Sequence, residues 1–61
     1  MEKMLTVKEV SALLAVHPST VYRMLKRGTI PAIQIGSDYR FDVNNIEKWV
    51  AAKHKEFTNG D

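Results

Sequence analysis

The sequence predicts a mostly α domain with one small β-hairpin, its elements in the order α-α-β-β-α. Three observations carry that class. Residues 18–27 keep helical periodicity between Pro18 and Gly28, which mark the two ends of a short helix. Thr6-Val7-Lys8-Glu9 has the spacing of a capping box and announces another helix just before it. From Ala32 onward the apolar period falls to two, and Gly36-Ser37-Asp38 separates two short runs. A chain of 61 residues makes one domain, with a thin core and a narrow margin of stability.

Taken in order, Met1 to Leu5 is a lead-in whose first core residue is Leu5. The Thr6 hydroxyl can accept from the Glu9 N–H while the Glu9 carboxylate reaches back to the Thr6 N–H. The spacing predicts a first helix over residues 7–15, burying Val7, Val10, Leu13 and Leu14. Leu5, just before the cap, is placed to staple onto Val10. This helix is read as structural. Ala15-Val16-His17 leaves room only for a tight helix–turn–helix corner, which Val16 is expected to plug from inside. His17 precedes a proline, so its backbone is pushed out of the helical region and it is expected at or near the N-cap.

In the second helix Val21 and Leu25, with Met24 beside them, form the face to be buried. Ser19, Tyr22, Arg23 and Lys26 recur at i, i+3, i+4 and i+7 on the other face, with Thr20 and Arg27 at its edges. Three cations, two hydroxyls and a phenol without a carboxylate suit a polyanion. The formal net charge is only +2, but its distribution is uneven. Between His17 and Arg40 the cations are Arg23, Lys26, Arg27 and Arg40, against Asp38 alone.

Ile33 and Ile35 then alternate with Ala32 and Gln34, Pro31 suits the start of a strand, and Tyr39-Arg40-Phe41 returns. This hairpin, residues 32–41, is expected to lean its Ile33, Ile35 and Phe41 side on the helices, because an isolated hairpin is unstable. Asp42 is a good N-cap for a third helix from Val43 to about Lys55. Ile46, Trp49 and Val50 are expected to close the core, with Glu47, Lys48 and Lys55 facing water. Trp49 sits on the apolar stripe and reads as a core anchor, not a platform for stacking a base. The domain is thus expected over residues 4–55, with 56–61 a disordered tail.

Several chemistries lack their residues. Without cysteine there are no disulfides, thiolate zinc sites or thiol catalysis. Gly28, Gly36 and Gly60 are isolated, so no phosphate loop forms. His17 and His54 lack partners at metal-ligand spacing, and no nucleophile–base–orienter set can be assembled. No enzyme activity, cofactor or metal is expected. No apolar run approaches the roughly 20 residues that span a bilayer, and no signal-peptide core follows Met1-Glu2-Lys3. The expected setting is cytoplasmic and nucleoid-associated, in a bacterium or a phage or mobile element, with no membrane partner. A self-contained regulator is expected rather than a fragment, since the chain starts at Met1 and its elements close a core.

The motifs together resemble a known family. Leu5-Thr6-Val7-Lys8-Glu9-Val10-Ser11-Ala12-Leu13-Leu14 and Val16-His17-Pro18-Ser19-Thr20-Val21-Tyr22-Arg23 look like the two helices of the excisionase-like helix-turn-helix domains, relatives of the MerR-type winged helix. Gly28-Thr29-Ile30-Pro31-Ala32, Ile35-Gly36, Tyr39-Arg40-Phe41 and Ile46-Glu47-Lys48-Trp49 complete the likeness, which covers roughly residues 4–50. The resemblance implies a winged helix-turn-helix that binds double-stranded DNA, with helix 18–27 in the major groove and the hairpin as wing. It implies contacts from Ser19, Thr20, Tyr22 and Arg23 on the helix and from Arg40 on the wing. Two positions depart from the pattern. The wing tip, commonly basic, is Ser37-Asp38, which leaves the wing contact to Arg40. The cap before the second helix is His17, which either weakens the helix start or shifts a phosphate contact onto Ser19 and the free N–H groups there.

The residue chemistry assigns backbone neutralisation chiefly to Lys26, Arg27 and Arg40, and base readout to Arg23, whose fork matches guanine O6 and N7. The expected role is an excisionase-like recombination or architectural factor, or a small transcriptional regulator. An integrase, or self-association on adjacent DNA sites, would add affinity. The alternative is a protein–protein interaction module whose basic helix meets an acidic partner.

Overall fold

The computed structural model describes residues 4–59. Its elements are β1 (Met4–Leu5), α1 (Val7–Leu14), α2 (Pro18–Arg27), β2 (Ile33–Ile35), β3 (Asp38–Asp42) and α3 (Val43–Asn59). Three helices and a small antiparallel sheet of order β1-β3-β2 give a mostly helical, winged helix-turn-helix architecture.

The capping box is present in full, with Glu9 N–H donating to Thr6 Oγ1 at 3.1 Å and Thr6 N–H donating to Glu9 Oε1 at 2.9 Å. Leu5 and Val10 join the same buried cluster, as a staple requires. The buried stripe of α1 is rotated from the expected one. Leu13 is 58% exposed, and Ser11 is buried instead. The Ser11 hydroxyl is satisfied by donating to the Lys8 carbonyl at 2.8 Å.

The corner is closed by backbone, not by Val16, which is 37% exposed. Ala15 takes a left-handed conformation, with φ 58°. Its N–H donates to Ala12 O, and the Val16 N–H to Ser11 O, a Schellman closure one residue short of the expected helix end. The same device ends α2, with Gly28 at φ 70° and Thr29 N–H donating to Met24 O.

The sheet departs from expectation twice. Met4 and Leu5 form a third strand, pairing with Asp42 and Phe41, so the hairpin is not alone. Across the hairpin, Ile33 pairs with Arg40, Gln34 with Tyr39 and Ile35 with Asp38, closing a two-residue loop of Gly36 and Ser37. Opposed residues share a face, so this register sets Ile33 and Ile35 beside Arg40 and Asp38 on the outer face. Ile33 is accordingly 41% exposed and Ile35 57%. Phe41, with Leu5 opposite, and the half-buried Tyr39 supply the inner face instead.

Asp42 caps α3 as expected, its carboxylate accepting from Asn44 N–H at 2.8 Å. Ile46 is fully buried, whereas Val50 lies at the rim and does not close the core. Trp49 packs against the core, and its indole Nε1–H donates to the Thr29 carbonyl at 3.0 Å, tying α3 to the loop that follows α2. The helix runs to Asn59 rather than ending near Lys55, since no breaker intervenes before Gly60. Of the expected tail, residues 56–59 thus have helical backbone, while Gly60 and Asp61 lie outside the described residues.

Candidate nucleic-acid interface

α2 is held by one buried side and presents the other. Val21 is fully buried, and Met24 and Leu25 pack against the core cluster. Opposite them Ser19, Tyr22, Arg23, Lys26 and Arg27 are exposed, and Thr20 is half-buried at the edge. At 1.5 Å per residue the ten-residue helix is about 15 Å long, with its three cations in the C-terminal half.

The residues on that face differ in what else explains them. Lys26 and Arg27 occupy the last turn of α2, where cations also stabilise the helix dipole. Arg23 lies in the middle of the helix and gains little from that term. Tyr22 is 54% exposed, a large aromatic surface for a chain this small to leave uncovered.

The start of α2 is better satisfied than expected. His17 Nδ1 accepts from the Ser19 N–H at 3.1 Å and lies 2.9 Å from the Ser19 hydroxyl. The Thr20 N–H donates to the His17 carbonyl at 2.9 Å. Those N–H groups are therefore not free for a phosphate, and the cap is formed by imidazole in place of the usual hydroxyl or carboxylate. The Ser19 hydroxyl is likewise engaged at the cap.

Arg40 stands on β3, half-buried, with one guanidinium N–H donating to the Tyr39 carbonyl at 2.8 Å. That bond folds the side chain along its own strand. Arg40 and Tyr22 nevertheless come together, because both line an open cleft of about 230 Å³ between α1, α2 and the hairpin tip. Lys8, Ser37 and Asp38 line the same cleft. Sequence spacing alone gives Lys8 no role; its place in the first turn of α1, two residues past the cap, is the signal that points to it. Among the described residues no group of three His, Cys, Asp or Glu side chains is placed to hold a metal ion.

The pattern of the helix-turn-helix domain matches residues 4–54. The chain belongs to that family. "Putative DNA-binding protein Rv0500A" of Mycobacterium tuberculosis strain H37Rv is 45% identical to this chain over 38 residues, 62% of this chain and 49% of its own. Its counterpart in strain CDC 1551 matches with the same values. The Bacillus subtilis protein YvgK, of uncharacterised function, is 36% identical over 44 residues, 72% of this chain and 14% of its own. The chain spans about half the length of the mycobacterial relatives it matches. No solved structure matches it significantly. No described helix of this helix-turn-helix domain is long and apolar enough to cross a membrane.

Proposed function

We propose that this domain binds duplex DNA sequence-specifically, with α2 in the major groove and the β2–β3 hairpin as a wing against the adjacent groove. One observation carries the proposal. The outward face of α2 exposes Arg23, Lys26 and Arg27 with Tyr22 and Ser19, and the helix contains no carboxylate. The name borne by the mycobacterial relatives agrees with it. An α-helix fits the width of the major groove, where outward residues of its N-terminal half and middle reach base edges. Arg23 then reads a base through its bidentate fork, with Ser19, Thr20 and Tyr22 as neighbouring contacts. Lys26, Arg27 and Arg40 neutralise phosphates and hold the register.

A single domain of this size has little surface from which to build high affinity. Repeated sites, a second copy on the neighbouring site, or an integrase would supply the rest. The domain acts as an excisionase-like architectural factor or as a small transcriptional regulator, and DNA bending distinguishes the two. Selection of bound sequences from a random duplex pool tests the proposal. Enrichment of a motif, with binding that weakens steeply as salt rises, is the expected result. Absence of duplex binding even at low salt would overturn it and leave a protein-interaction module.

A further inference from the structure

We infer that Lys8 supplies the cation that the wing tip lacks, and that the cleft between α1, α2 and the hairpin seats one phosphate of the DNA backbone. The inference rests on the proposed placement of α2 and the wing in neighbouring grooves. Neighbouring grooves of a duplex are separated by one sugar–phosphate strand. With α2 in one groove and the hairpin against the next, that strand crosses the space between them, which is this cleft.

The charges lining the cleft decide what it can hold. The tip residues facing it are Ser37 and Asp38, and the strand contributes Arg40. Asp38 and Arg40 cancel, so these elements alone leave the cleft neutral and give a phosphate no net attraction. Lys8 tips the balance to a single positive charge. It is exposed, and no carboxylate pairs with its ammonium among the described residues. The acid beside it, Glu9, has its carboxylate turned to the Thr6 N–H at 2.9 Å. Tyr22, on the opposite wall, adds a hydroxyl that can donate to a phosphate oxygen. Arg40 uses one donor on the Tyr39 carbonyl and keeps its others for the cleft.

The test is the dependence of duplex affinity on salt for the full chain, using a duplex that the wild type binds. Removing one neutralised phosphate flattens the log–log slope by about 0.9. Lys8→Ala is expected to show that loss, Lys8→Arg to retain the slope, and Lys8→Ala with Asp38→Asn to recover part of it. Lys48→Ala, on the exposed side of α3, is the control for overall charge and is expected to leave the slope alone. A wild-type slope in Lys8→Ala would overturn the inference while leaving the proposed DNA binding intact. Equal flattening by Lys48→Ala would also overturn it, because the effect would then belong to net charge and not to the cleft. If the wild type itself bound no duplex, the reading beneath the inference would fall first. Melting temperatures equal to wild type show that each variant is folded, as expected for substitution of exposed side chains.

Discussion

Ala15 holds φ 58°, a conformation that costs an L-residue with a side chain roughly 1–2 kcal/mol. Its side chain is exposed, so replacement by glycine removes that strain with little packing lost. Against this stands the greater freedom of glycine in the unfolded chain, about 0.4–1 kcal/mol. Ala15→Gly is therefore expected to stabilise the domain by about 0.5 kcal/mol, seen as an increase in the denaturant midpoint. The opposite change at the other Schellman closure tests the same physics. A Cβ on Gly28 meets nothing within 4 Å, so any loss in Gly28→Ala comes from the φ of 70° alone. His17 offers a second test. His17→Ala removes the acceptor for the Ser19 N–H and is expected to cost about 1 kcal/mol. His17→Asn, which can cap through its own oxygen, should retain most of the stability in the same titration. With total stability of roughly 0.05–0.15 kcal/mol per residue, such differences are easily read in a chain this short.

Elements whose ends are set by local chemistry were legible in the sequence. Thr6 with Glu9, Pro18 with Gly28, and Asp42 each act within one helical turn, so residue identity nearly suffices to place α1, α2 and the start of α3. What depends on a distant partner was not. β1 is two residues long and carries no period; only its pairing with Asp42 and Phe41 makes it a strand. Polarity alone points Ile33 and Ile35 inward, whereas register decides which residues share a face and puts them outside. The same limit applies to Ser11, which is buried, and to Leu13, which is not. Outer-face placement has a direct consequence. Ile33→Thr and Ile35→Thr keep β-branched side chains and are expected to change stability by less than about 0.5 kcal/mol. An inward register would make each of them a core substitution, costing well above 1 kcal/mol in the same denaturation experiment.

At the scale of the whole molecule, one helix is presented and the rest holds it. Val21 is buried in the core cluster with Val10 of α1 and Phe41 of β3, while the Trp49 indole anchors the loop after Gly28 to α3. The candidate DNA-contacting residues were legible as a face of α2, since helical spacing alone gathers Ser19, Tyr22, Arg23 and Lys26. Lys8 was not, because only the folded chain brings α1 to the same cleft as the wing. The basic face and the cleft are expected to act on different quantities. Phosphate-facing cations set affinity and its salt dependence, whereas a base-reading arginine sets which sequence is bound. Arg23 therefore gives the most direct test of recognition by α2. The measurement is the affinity of wild type and Arg23→Ala for the selected duplex and for each of its single-base variants. Sequence reading by this helix predicts a loss of about 1–3 kcal/mol on the selected duplex, with discrimination collapsing at one base position and persisting at the others. A uniform loss across every duplex would contradict it, and would make Arg23 a backbone contact on a helix that does not read the groove through it.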